Sequence, residues 1–225
     1  MTDKTKAIWR WILFPLLILI LGFVVACTFY ILNLLKTGEW QKDYSPINNQ
    51  KISTELLQQI TKDNYWLGAA NPKITIIEFA DFSCSMCKNS FLNIREISVK
   101  YKNDVRIIFK DFPVISASSP VLALAARCAG EQGLFWPMHD KLYINQGLAE
   151  EKEIIELAKQ IGTDATRFTS CLQSKKYAAQ VNQDYEDGIA LKVSGTPTWF
   201  INDKKYTGDI PHDTFIEILE QLLKQ

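Results

Sequence analysis

A chain of 225 residues, 47% hydrophobic and 22% charged, is long enough to bury one substantial core and to carry an appendage beside it. Its 25 basic and 25 acidic side chains cancel to a formal net charge of zero. That argues against a nucleic-acid surface, because phosphate binding needs a basic excess.

Trp11 to Leu35 contains no charged residue and exceeds the roughly 20 apolar residues needed to cross a bilayer core. Asp3, Lys4, Lys6 and Arg10 precede it, so basic residues dominate the leading segment. By the positive-inside rule residues 1–10 stay cytoplasmic, and the bulk of the chain lies outside. Pro15 sits near the start of the segment, where a spanning helix tolerates it. Three readings stand. A retained signal anchor over residues 11–35 is the expectation, because the run is too long for a typical signal h-region. A cleaved signal peptide lacks a clear small-x-small site. Lipidation at Cys27, after Val24-Val25-Ala26, is opposed by the apolar stretch that continues from Thr28 to Leu35. All three place residues 36–225 on the far, periplasmic or cell-surface side of a membrane, and the expected anchor crosses it once.

Residues 36–63 read as a linker and short helix: 36–50 are polar and contain Pro46, and 53–61 form a helix that Ser53 or Thr54 can cap. Tyr65 to Gly68 leads to a turn at Asn71-Pro72. Lys73 to Phe79 is β-branched and nearly continuous in apolar character, which predicts a buried strand. A helix follows from near Cys84 to about Lys102, then a strand from Asp104 to Phe109, ended by Pro113. Residues 119–180 read as a helical block in which Pro120 suits a first turn and Gly162 a stop. Thr198 to Asn202 is a third strand, Asn202-Asp203 a turn, Lys205 to Thr207 a return strand, and Asp213 to Leu223 a closing helix. The expected architecture is an α/β core in two parts, 64–116 and 186–225, interrupted by a helical insertion at 117–185.

Five cysteines are present. Setting Cys27 aside, Cys84, Cys87, Cys128 and Cys171 all lie in the exported part, and an even number there predicts two disulfides. Of the three possible pairings, the local one joins Cys84 to Cys87 and leaves Cys128 with Cys171. The competing reading is that Cys128 and Cys171 are buried free thiols.

Cys84-Ser85-Met86-Cys87 follows a strand and opens a helix. There, outward-pointing N–H groups and the positive end of the helix dipole favour thiolate over thiol. The thiolate is the nucleophile in disulfide exchange, so Cys84 is poised to attack or leave and Cys87 to resolve the mixed disulfide. The competing readings are half of a zinc site or a structural disulfide. Zinc needs four ligands; no second CxxC exists, and His139 and His212 are isolated. His139 is expected to cap or pack within the helical block and His212 to lie on the surface. Trp66, Trp136 and Trp199 are expected in the core or lining pockets. A second signal is Gly195-Thr196-Pro197-Thr198. A proline just before a strand is either at its edge or cis.

IIEFADFSCSMC, followed more than a hundred residues later by GTPTWFIN, resembles the DsbA-like branch of the thioredoxin superfamily. ALAARCAGEQGLFWPMHDKLY and RFTSCLQ resemble that branch too, and the likeness covers about residues 64–223. It implies a thioredoxin-like α/β fold with an inserted helical domain after the N-terminal transmembrane helix. By the same resemblance Pro197 is cis, and Thr196 contacts Cys84 and the bound peptide. Glu78, six residues before Cys84, occupies the place of an acid beneath the second cysteine that can take or relay its proton; Asp81 is the alternative. The sequence departs from the best-known oxidants in having Ser85-Met86 where they carry Pro-His, so no imidazolium stabilises the thiolate. Met86 instead offers an apolar edge for unfolded chains.

The reading is a protein thiol:disulfide oxidoreductase that needs no bound cofactor and no metal. Its partners are reduced exported polypeptides and a membrane redox partner that resets the pair. The rivals are a reductase or isomerase, a client-specific redox partner, and a tethered binding or chaperone module with a structural CxxC disulfide.

Overall fold

The computed structural model describes residues 3–37, 52–148 and 150–225, with side chains in the first stretch described over 15–33. The chain divides into two compact units, Met1–Asp43 and Tyr44–Gln225. The described residues of the first form α1 (Asp3–Thr37), with Pro15 inside it. Pro15–Asn33 is a 19-residue apolar stretch with no side chain buried. The segment read as a linker lies outside the described residues beyond the end of α1.

The second unit begins with α2 (Thr54–Ile60), whose first turn is capped by the Ser53 hydroxyl accepting from the Leu56 N–H. Five strands follow: β1 (Trp66–Gly68), β2 (Ile74–Ala80), β3 (Val105–Asp111), β4 (Thr198–Ile201) and β5 (Lys204–Thr207). Their order in the sheet is β1-β3-β2-β4-β5. β2 and β3 are parallel, joined by α3 (Ser85–Lys100), and every other pairing is antiparallel. Between β3 and β4 lie α4 (Ser119–Gly130), α5 (Phe135–Ile144), α6 (Glu151–Gln160), α7 (Ala165–Gln173) and α8 (Ala178–Ala190). The chain closes on α9 (His212–Leu223).

The period-two alternation of β2 divides the core. Ile74 and Ile76 face Ile94 and Ile97 of α3 and Phe215 and Leu219 of α9. Ile77 and Phe79 pack with Leu57 of α2 and Phe200 of β4 on the other side. A third cluster joins Phe82, Cys87 and Phe91 to the inserted helices. Each large side chain so buried contributes about 1.5–3 kcal/mol. Trp199 is fully buried, whereas Trp66 is exposed on the edge strand.

β1 is absent from the sequence reading. Three residues are too few to show a period, and the strand exists because β3 offers a free edge: Leu67 pairs with Ile107. Gly68 ends it at φ 90°, where a Cβ would overlap the Val105 carbonyl oxygen. At the opposite edge Asn202 turns the β4–β5 hairpin at φ 52°, and its side-chain oxygen accepts from the Thr75 N–H at 2.9 Å.

Buried charges join the insertion to the sheet. Lys110 of β3 bonds Asp184 and Asp187 of α8 at 3.0 and 2.5 Å. Arg127 of α4 bonds Asp111 of β3 at 2.5 Å and also Asp184. Asn64 donates to both Asp184 oxygens. The Cys128 and Cys171 sulfurs are bonded, tying α4 to α7.

Candidate active site

β2 ends at Ala80, and the chain must turn before α3 begins. Asp81 fixes that turn: one carboxylate oxygen accepts from the Ser83 N–H at 2.7 Å, the other from the Val114 and Ile115 N–H groups at 2.7 and 2.8 Å. Both oxygens are therefore committed to the backbone, and the acid left beneath the cysteine pair is Glu78. The Asp81 carbonyl accepts from the Cys84 N–H at 3.0 Å. From the far side Gln146 donates to the carbonyls of Phe82 and Cys84 at 2.9 and 3.0 Å.

Held in this way, Cys84 is the N-cap residue of α3, with extended backbone and no side-chain capping bond. Its sulfur is left to the chemistry. It is 4% exposed and donates to the Thr196 carbonyl at 3.2 Å. The Thr196-Pro197 peptide is cis. The loop that carries it is anchored by the Thr198 hydroxyl donating to the Gly195 carbonyl and by the Gly208 N–H donating to the Pro197 carbonyl. Thr196 is itself buried. Met86, beside the pair, is 46% exposed.

The two thiols differ sharply. A hydrogen bond from Cys87 is the largest influence on Cys84 and outweighs burial. Thr196 and the N–H groups of Cys87 and Met86 add to it, and the Cys84 thiol is lowered to about 6. Cys87 is wholly buried. Burial first, then the bond it gives to Cys84 and the negative charge of Glu78, push its thiol far up. Glu78 lies on β2 between Phe109 of β3 and Trp199 of β4, 1% exposed. Burial, aided by charge on Cys84, raises its carboxyl to about 8. An easily ionised, barely exposed sulfur, a protonated sulfur behind it and a buried acid near neutrality can together perform disulfide exchange with internal proton transfer.

The structure thus brings Cys84, Cys87, Glu78, Thr196 and Pro197 to one place, with Met86 at its rim. It puts Cys128 and Cys171 elsewhere, in the inserted helices. His139 is buried, held through Nδ1 to Asp140 at 2.9 Å. His212 lies 3.2 Å from Glu96 on α3. Among the described residues no group of three or more His, Cys, Asp or Glu is arranged to hold a metal ion. Gln146 escaped the sequence reading. Nothing in one sequence ties it to a carbonyl 62 positions away.

Residues 60–221 match a family model described as Thioredoxin. A curated relative, the Na(+)/H(+) antiporter NhaA 1 of Salinispora arenicola, is 31% identical over 143 residues, which is 63% of this chain and 22% of the relative. The chain therefore spans under a quarter of that relative's length. Among solved structures, the thiol-disulfide exchange protein alpha-DsbA2 from Wolbachia pipientis is similar with a TM-score of 0.67 and 21% identity, over 75% of this chain and 95% of that one. BdbD from Bacillus subtilis gives 0.65 and 24%, over 80% and 100%. These likenesses show the fold.

Proposed function

Because the chain belongs to the thioredoxin family and has a DsbA-like fold, we propose that it is a membrane-anchored thiol–disulfide oxidoreductase acting on exported polypeptides, chiefly as their oxidant. The observation that carries this reading is the asymmetry of the pair: Cys84 ionises near pH 6 while Cys87 stays protonated behind it, over Glu78. As oxidant, the Cys84–Cys87 disulfide is attacked at Cys84 by a client thiolate. Cys87 leaves and takes a proton from Glu78. A second client thiolate then displaces Cys84, which departs as a stable thiolate, and the client has lost two electrons to the pair. Thr196 and Pro197 would line the client's backbone and Met86 would meet its apolar side chains. Cys128 and Cys171 would serve the insertion as a structural disulfide.

In this reading α1 spans the membrane once, with Lys4, Lys6 and Arg10 on the cytoplasmic side and residues 64–225 outside. A membrane redox partner would remove the two electrons after each cycle.

A second direction has support in one feature. A thiol near 7 accompanies thioredoxin's potential of about −270 mV, and one near 3.5 accompanies the strong oxidant DsbA at about −120 mV. Cys84 at about 6 falls between, so a reductase is the alternative. The deciding experiment equilibrates the full chain in detergent with glutathione buffers and assays oxidation of reduced, unfolded ribonuclease. A potential above that of the glutathione pool, with oxidation lost in Cys84→Ser, supports the oxidant. A potential below it supports the reductase. Oxidation that persists in Cys84→Ser ends both.

A further inference from the structure

Tyr143 of α5 is wholly buried, and its hydroxyl has no hydrogen-bond partner. Leaving such a group unpaired costs about 1–3 kcal/mol, and phenylalanine would fill the same space without that cost. The ring packs against Phe82 and Phe91, with centroids 5.1 and 5.5 Å away. These residues flank the cysteine pair, and all belong to the cluster that contains Cys84 and Cys87. The titratable groups facing Tyr143 are Cys84 and Cys87 at the start of α3, Glu78 of β2, Asp81 after it, and His139 of its own helix.

Most of these can be ruled out as the hydroxyl's acceptor. Both Asp81 oxygens are filled by backbone N–H groups. Cys84 is served by Cys87, Thr196 and two N–H groups. The acceptors left open are Glu78 Oε1, also unpartnered, the Cys87 sulfur, and His139 Nε2, on a ring 4.9 Å away and edge-on. Burial and the charges of Cys87 and Glu78 hold the phenol protonated far above its usual range, so it remains a donor throughout.

We propose that Tyr143 is a positioning residue for the exchange reaction: its hydroxyl donates to the negative charge that passes between Cys87 and Glu78. This rests on the exchange reading above. When a reduced pair is reoxidised through a mixed disulfide on Cys84, the Cys87 thiol gives its proton to the Glu78 carboxylate. The Cys87 sulfur then bonds the Cys84 sulfur, and the partner leaves as thiolate. A donor that favours ionised Glu78 keeps the base available at lower pH. The insertion thereby supplies a hydroxyl to a proton transfer otherwise built from β2 and α3.

The test is the reaction of the reduced full chain, in detergent, with an aromatic disulfide that releases a coloured thiolate. The first release reports attack by Cys84 and the second reports attack by Cys87. In Tyr143→Phe the second release should slow roughly tenfold at neutral pH, the size expected for a hydrogen bond to a charge, and its pH midpoint should move upward. In a Glu78→Gln background the same substitution should no longer move the midpoint, because that shift acts through the Glu78 carboxylate. An unchanged second phase and midpoint overturns the proposal, and a change in melting temperature alone assigns the hydroxyl to packing or to His139. If Tyr143→Phe does not fold, 3-fluorotyrosine at position 143 replaces it: a stronger donor should lower the midpoint, and an unmoved midpoint overturns the proposal. A wild-type chain that gives no second release would instead defeat the exchange reading itself.

Discussion

The carbonyl oxygen of Thr196 lies 3.2 Å from the sulfur of Cys84, across 112 positions of sequence. The contact joins the loop before β4 to the start of α3. The sulfur is also the more acidic of the pair. Alkylation of the reduced chain by iodoacetamide should therefore rise with a midpoint near pH 6 and label Cys84 alone below neutrality. Cys87→Ser should accumulate mixed disulfides with clients, because nothing remains to displace them. Mass spectrometry of trapped adducts checks both. Labelling with a midpoint between 8 and 9, the range of an ordinary thiol, would remove the basis for the exchange reading.

Glu78 makes the reduced protein less stable as pH rises. Its carboxyl is protonated up to about pH 8 when folded but ionises near 4.5 when unfolded. The folded state therefore binds the extra proton between those values, and stability falls by up to about 1.4 kcal/mol per pH unit across the window. Cys84 acts in the opposite sense between about 6 and 9, because its folded form ionises first. Replacing Glu78 by Gln removes the first effect and leaves the second. Denaturant titrations of reduced protein should find Glu78→Gln close to wild type at pH 4 and more stable by several kcal/mol at pH 8. Its second thiolate release should nevertheless be slower. A difference independent of pH would mean that Glu78 titrates normally.

Gln146 holds the carbonyls of both Phe82 and Cys84. Gln146→Ala should leave the helices intact and loosen the turn that presents Cys84. The lost bonds are worth about 1–3 kcal/mol together, so the expected result is a modest loss of stability and a several-fold slower first release. Gln146→Glu should be worse, because a carboxylate cannot donate to two carbonyls. Unchanged rates in both variants would show that Asp81 alone positions the turn.

What could be read from the sequence was what repeats or clusters locally. The β-branched run of β2 and the position of Cys84 at a strand-to-helix junction are both visible within a dozen residues. Pro197 was legible as a proline at a strand edge or in a cis bond, and the resemblance of its neighbours to a known loop chose between the two. β1 was not legible, since three residues become a strand only when β3 pairs with them. Neither was the division of labour between the acids: Glu78 and Asp81 are three positions apart, and only the fold shows that Asp81 accepts from Val114 and Ile115. Tyr143 drew no reading of its own, because the sequence does not show which hydroxyls end without a partner.

The same limit applies to Lys110, Asp111, Arg127, Asp184 and Asp187, which lie on three elements and meet only after the insertion docks. Arg127 is the central cation, bonding Asp111 and Asp184 together. Burial raises the Asp111 carboxyl to about 6 even with Arg127 lowering it. Arg127→Met would leave three acids facing Lys110 alone. Breaking a buried pair from one side costs about 3–5 kcal/mol, which for a domain of this size lowers the melting temperature by roughly 6–20 °C. Without Arg127 holding it down, the Asp111 carboxylate would bind a proton more readily, so the deficit should shrink as pH falls toward 5. Thermal unfolding followed by circular dichroism at pH 5 and 7.5 checks both statements. Changing Asp184 to Asn in the Arg127→Met background should recover part of the loss, because it removes one of the three acidic charges that Lys110 alone would then face. A deficit that is the same at both pH values and indifferent to Asp184 would mean that Arg127 matters through packing alone.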